Sequence, residues 1–187
     1  KRARKASQYK IDTKVKNSVL ASYAKMLDEN KGLIIKENTK DINYAKKIGL
    51  KENLINRLHL NEKKINDIRN SIISIIRFKD PINHVLEKWK RPNGLNISRV
   101  SIPIGVIGVI YESRPNVTSD VAGLCFKSGN AVILRGGSEA INSNRILSKL
   151  FRKALKKNKV DENFIQFIDS KNRKMVDVML SKMKEYI

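Results

Sequence analysis

The sequence predicts an α/β protein in which N-terminal helices and a β-hairpin lead into a doubly wound, mainly parallel sheet. Three observations carry this. Residues 1 to about 80 repeat apolar side chains at spacings of three and four. An Asn93-Gly94 pair separates two alternating segments within residues 84–102. Residues 103–144 hold six of the nine glycines and alternate an apolar run, a helical stretch and a second apolar run, the pattern of a βαβ unit.

In chain order, Val15, Val19, Tyr23 and Met26 form one helical stripe, and Ile65, Ile68, Ile72, Ile75 and Ile76 another. Shorter helical patterns cover residues 33–48 and 53–58, with Gly49 as a stop between them. His59 and His84 lack partners at metal-ligand spacing, so both read as surface or cap residues and no metal is expected. Asp80-Pro81 closes the helical set, because proline cannot continue a helix. The hairpin then serves either as an oligomerisation arm or as a ribbon over the domain's own edge.

An apolar strand is expected at residues 104–110, a corner at 111–118, and a helix capped by Thr118 or Ser119 that carries Val121, Leu124 and Cys125. A second strand at 131–134 leads into a corner at 135–139 and a helix starting near Glu139 under a Ser138 cap. That helix places Leu147, Leu150, Phe151 and Ala154 on one face and ends in the basic run 153–159, which suits a solvated C-terminus. A strand at 164–168 follows, then a helix capped by Ser170 with Met175, Val176, Met179, Leu180 and Met183 inward. The alternation calls for a further strand at Tyr186-Ile187. The expected division is 1–80 helical, 81–102 hairpin arm and 103–187 the first part of a nucleotide-binding sheet domain.

A chain of 187 residues with 41% hydrophobic content can bury a core, alone or as part of a larger protein. One cysteine excludes an internal disulfide, and no run of about 18 apolar residues spans a membrane. A soluble, cytoplasmic protein without membrane partners is expected. The start KRARKAS has no apolar segment behind it, so it reads as a trimmed N-terminus rather than a signal peptide. The net charge of +21 raises nucleic-acid binding. Yet lysines cover nearly every polar helix face, and Asn and Ile, which share A/T-rich codons with Lys, are abundant too. Nucleic acid is therefore not the expected partner, although a basic surface attracts small phosphorylated molecules.

Ligands of parallel sheets bind at the carboxyl ends of strands. At the second corner Gly136 and Gly137 permit close backbone approach, the following helix start favours anions, and Arg135 can fork onto a phosphate. An arginine there, in place of an acid that chelates the ribose 2′-hydroxyl, leans towards NADP(H). The same residues also suit a plain tight turn. At the first corner Glu112, Ser113, Arg114 and Asn116 crowd a strand end. Asn116 reads either as an oxyanion donor or as a turn residue. Cys125 sits in an apolar helix with no activating neighbour and reads as a buried small hydrophobe, not a nucleophile.

The segments PIGVIGVIYESRPNVTSD and KSGNAVILRGGSEAINSN closely resemble the signature of γ-glutamyl phosphate reductase, also called glutamate-5-semialdehyde dehydrogenase, of the aldehyde dehydrogenase superfamily. KRARKAS, ENLINRL, DPI and WKRPNGL agree along the flanks. The resemblance covers essentially the whole chain and implies an incomplete aldehyde dehydrogenase-like fold. It further implies an NADPH-dependent oxidoreductase of proline biosynthesis, homo-oligomeric at full length. Such an enzyme converts γ-glutamyl phosphate to glutamate 5-semialdehyde and phosphate through a cysteine thioester. Asn116 matches the family's oxyanion-hole asparagine. Arg135 stands where the superfamily has a ribose-binding lysine, and Gly136, Gly137 and Ser138 replace its Pro-Ala-Glu. Ser113, Arg114 and Glu139 complete the expected cofactor-binding set. The nucleophilic cysteine belongs to a later segment, so the isolated polypeptide is expected to be inactive. The alternative is a non-catalytic nucleotide-binding or assembly module derived from that enzyme.

Overall fold

The computed structural model describes residues 1–183, so the strand expected at Tyr186-Ile187 lies outside the described residues. Five helices open the chain: α1 (Arg2–Ser7), α2 (Thr13–Glu29), α3 (Lys31–Lys47), α4 (Glu52–Leu58) and α5 (Glu62–Arg77). The two apolar stripes do what their spacing requires. Val19, Tyr23, Ile65, Ile68, Ile72 and Ile75 are buried, with Met26 and Ile76 packed at the margin, while Val15 lies exposed on the outer edge of its stripe. Gly49 has φ +70° and ends α3, a conformation that only glycine adopts freely.

Strands β1 (Val85–Lys90) and β2 (Asn96–Val100) pair antiparallel as a two-stranded ribbon, with Trp89 opposite Ile97. The connection spans residues 91–95, closed by Arg91 N–H donating to the Leu95 carbonyl and by Gly94 at φ +89°. Among the described residues the ribbon joins no other strand, and nearly all its side chains are exposed. It does not cover the edge of the parallel sheet.

That sheet has the order β3-β4-β5, all parallel: β3 (Val106–Ile110), β4 (Ala131–Arg135) and β5 (Ile165–Phe167). Helices α6 (Pro115–Lys127) and α7 (Ile141–Lys157) are the two crossovers, and α8 (Lys174–Lys182) follows β5. β3 starts two residues later than the apolar run suggests, because Gly105 at φ +120° turns the chain and leaves Ile104 83% exposed. α2 and α5 pack on α6, and α2 and α3 on α7. One apolar cluster therefore runs from Val19 and Tyr23 through Phe126 and Phe151 to Val132, Leu134 and Ile165. The Tyr23–Phe151 and Phe126–Phe164 rings stand 4.5 and 5.5 Å apart within it.

Three helix starts differ from expectation, two of them because the expected cap is engaged elsewhere. α6 begins at Pro115, whose fixed φ suits the first helical position. Thr118 and Ser119 are thus inside the helix: Ser119 Oγ pairs with the Tyr23 hydroxyl at 2.6 Å, and Thr118 Oγ1 donates to Asn144 Oδ1 at 2.9 Å. Ser138 opens a 3-10 turn, Ser138–Ala140, and caps nothing; α7 begins at Ile141. Ser170 accepts from Asn172 N–H, while Asn172 Oδ1 accepts from Lys174 N–H at the start of α8. In that helix Met179 is buried and Leu180 faces solvent. Leu124 of α6 is exposed as well, one residue before buried Cys125.

Candidate functional site

β3 and β4 end side by side, with Ile110 in register with Arg135. The corners that follow them line a cleft of about 670 Å³ together with α4 and the β5–α8 loop, a volume typical of small-ligand sites. Ser113, Arg114, Arg135, Gly137, Ser138 and Glu139 all line it. Its cations are Arg57, Arg114, Arg135, Lys171 and Arg173, against the acids Glu112 and Glu139. One acid is already engaged, since Ser113 Oγ donates to Glu139 Oε2 at 2.7 Å and ties the two corners together. The other meets exposed Arg57 loosely, at 3.8 Å. The cleft therefore carries excess positive charge.

Arg135 is the unusual member. It is only 9% exposed, yet its Nε has no acceptor and no carboxylate pairs with it among the described residues. A guanidinium left this way costs free energy unless a ligand supplies the missing acceptor.

The glycine pair works differently from expectation. Neither residue has positive φ. A Cβ on Gly136 would overlap Asn144 Nδ2 and lie 2.9 Å from the Tyr111 ring, and one on Gly137 would overlap Ser113 Oγ. The close approach is to the chain's own first corner, and Gly136 itself is buried beneath the cleft wall. Under it the Tyr111 hydroxyl meets Thr118 Oγ1 at 2.7 Å, and Thr118 donates to Asn144, so the tyrosine is the donor of its pair. Burial pushes the Tyr111 hydroxyl up to about 12.

The start of α7 is not open to an anion. Asp41 of α3, 1% exposed, accepts from Ser143 N–H and Oγ at 2.7 Å each, and from Asn142 N–H and Nδ2 at 3.1 and 2.8 Å. Its carboxylate occupies the place expected for a phosphate. Asn38, one turn earlier, donates to the Leu58 carbonyl and accepts from Leu60 N–H, which fixes α4 to the same assembly. Sequence reasoning passed over Asp41, Asn38 and Asn144. The available signal was two polar residues in register with Ile34, Ile42 and Ala45 on the inner stripe of α3.

Asn116 stands apart from the first cleft. It is exposed in the first turn of α6, donates to Asp120 Oδ2 at 3.2 Å, and lines a second cleft of about 290 Å³ with Arg57, Lys64, Asp67, Ser71 and Asp120. Arg57 borders both clefts. Cys125 reaches neither; burial pushes its thiol up to about 11. Among the described residues no group of three potential metal ligands occurs, and no helix is long and apolar enough to cross a membrane.

No protein-family model matches the chain. It is 45% identical over 189 residues to a gamma-glutamyl phosphate reductase of Clostridium tetani, covering 100% of this chain and 44% of the relative. The crystal structure of the gamma-glutamyl phosphate reductase of Thermotoga maritima superimposes with a TM-score of 0.96 at 40% identity, over 100% of this chain and 45% of that one. A propionaldehyde dehydrogenase of Clostridium phytofermentans, at 13% identity and a TM-score of 0.67 over 96% of the chain, shares the fold. Over its whole length the chain is thus homologous to part of gamma-glutamyl phosphate reductase, and it spans about 45% of the length of the relatives it matches.

Proposed function

We propose that this chain forms the cofactor-binding part of an NADPH-dependent reductase that converts γ-glutamyl phosphate to glutamate 5-semialdehyde and phosphate in proline biosynthesis. Residues 103–187 are the first part of its nucleotide-binding domain, preceded by the helical segment 1–80 and the arm 81–102. The complete enzyme is cytoplasmic and homo-oligomeric in this reading. The observation that carries it is the buried Arg135 guanidinium, whose Nε lacks an acceptor, in a cleft whose five cations include it.

These residues fit a phosphorylated dinucleotide. Arg135 is assigned to the 2′-phosphate, since an unpaired guanidinium offers a charge-assisted fork. Ser138 and Glu139 are assigned to the adjoining ribose, and Ser113 and Arg114 hold the facing wall. Gly136 and Gly137 contribute by admitting the close packing of Tyr111, Ser113 and Asn144 that aims the corner. When bound, the cofactor supplies the hydride. Asn116 directs its amide at the developing oxyanion; one N–H is engaged by Asp120 and the second remains to donate. A cysteine beyond this sequence supplies the nucleophile, since the deprotonated form that attacks is suppressed at buried Cys125.

Titration of the chain with NADPH and with NADH, followed by nicotinamide fluorescence, tests this. Arg135→Ala is expected to weaken NADPH by about 10- to 100-fold, the size of a charged hydrogen bond, and NADH much less. Equal losses remove the 2′-phosphate assignment, and failure of both to bind the unsubstituted chain overturns the cofactor reading.

A further inference from the structure

The second cleft differs from the first in its charge. It is lined by Lys64 and Arg57 together with Asp67 and Asp120, and by buried Leu60 and Ile68. Lys64 Nζ is held by the Asn56 and His59 carbonyls at 2.8 Å each, which fixes the ammonium and leaves its third N–H unused. Asp120 accepts from Ser71 Oγ at 2.8 Å and from Asn116 at 3.2 Å, both neutral donors. Neither Asp67 nor Asp120 forms an ion pair among the described residues. The cleft thus sets unpaired carboxylates and a positioned ammonium around a short apolar floor.

We propose that this cleft is the recognition site for the amino-acid end of the substrate, a zwitterion of the glutamyl class. Asp120, assisted by Asp67, takes the α-ammonium group. Lys64, with exposed Arg57, takes the α-carboxylate, and the side-chain methylenes lie over Leu60 and Ile68. Asp120 follows Asn116 by one turn of α6, and the two side chains meet at 3.2 Å. The ammonium on Asp120 and the acyl oxygen on Asn116 are therefore held by adjacent turns of one rigid helix. The inference rests on the proposed reductase reading, because Asn116 marks the reacting end only there.

The test is an NMR titration of the ¹⁵N-labelled chain, read at the Asn116 side-chain amide. L-Glutamate is expected to shift this resonance. Glutarate, which lacks the amino group, and 4-aminobutyrate, which lacks the α-carboxylate, should each bind about 10-fold more weakly, the loss of one charged contact. Asp120→Asn should weaken L-glutamate but leave glutarate unchanged, a pattern that a generally damaged fold does not give. Lys64→Met should weaken L-glutamate while leaving 4-aminobutyrate unchanged. Equal binding of glutamate and glutarate, no binding of glutamate, or an indifferent Asp120→Asn variant each overturns the proposal. NADPH titration of the same sample reports on the Arg135 corner separately, so loss of the glutamyl site with cofactor binding intact counts against this inference alone.

Discussion

Asp41 and Ser143 lie 102 residues apart and share a buried double hydrogen bond, with both the backbone N–H and the hydroxyl of Ser143 donating to Asp41 Oδ2 at 2.7 Å. The carboxylate acts as an N-cap supplied in trans by another helix, and it holds α7 and the corner at residues 135–139 against α3. Asp41→Ala removes four accepted hydrogen bonds and leaves buried donors unsatisfied. The expected loss is about 2–4 kcal/mol by urea denaturation, with Asp41→Asn losing less because its amide oxygen still accepts.

Gly136→Ala places a methyl group against the Tyr111 ring and Asn144. Overpacking of this kind costs about 1–3 kcal/mol. It also separates Asn144 from Thr118, so NADPH affinity should fall along with the melting temperature. Gly32→Ala, in the first turn of α3 and meeting nothing within 4 Å, is the matched control: NADPH affinity should stay unchanged and the melting temperature should not fall, since alanine favours the helix over glycine.

Asp80 stands in a largely buried cluster, bound by Lys16 Nζ at 2.8 Å and Thr13 Oγ1 at 2.7 Å. Burial alone would raise its carboxyl, but the bonds from Lys16, Thr13 and the Ile82 N–H outweigh it and hold the group below the usual carboxylate range. A depressed folded value makes the contribution complete above the unfolded carboxylate value, about 3.9. It is lost as pH falls through the lower folded value. Stability measured between pH 6 and pH 3 should therefore decline in the native chain, and Asp80→Asn should flatten its acid limb while lowering the plateau.

Cys125 should resist thiol reagents. With its thiol pushed up to about 11 by burial, labelling at neutral pH is expected to follow opening of the fold rather than direct attack. Labelling rates with and without urea check this. Cys125→Ala should retain NADPH binding, and loss of binding would contradict its placement away from both clefts.

The sequence revealed the alternation of elements well because that depends on local periodicity: the stripes of α2 and α5, the runs of β3 and β4, and Gly49 all obeyed it. Helix starts were missed where partners come from far away. Ser119 is claimed by Tyr23, Thr118 by Asn144, and α7 by Asp41, none of which a local window contains. The site shows the same division. That Ser113, Arg114, Arg135, Gly137, Ser138 and Glu139 line one cleft could be expected because they follow two neighbouring strand ends directly. Arg57, Lys171 and Arg173 reach the cleft from α4 and the β5–α8 loop, and only the fold unites them. Asn116 was legible as a corner residue, but its separation into another cleft was not.

The projecting ribbon also determines what fluorescence can observe. Trp89 is the chain's single tryptophan and is 41% exposed on β1, in a sheet that pairs only with β2 among the described residues. Its emission accordingly reports the fate of a two-stranded appendage, which is marginally stable by itself. An unfolding curve read from tryptophan should precede one read from helical circular dichroism. Used alone, the indole signal would make the protein look weaker than its aromatic core is.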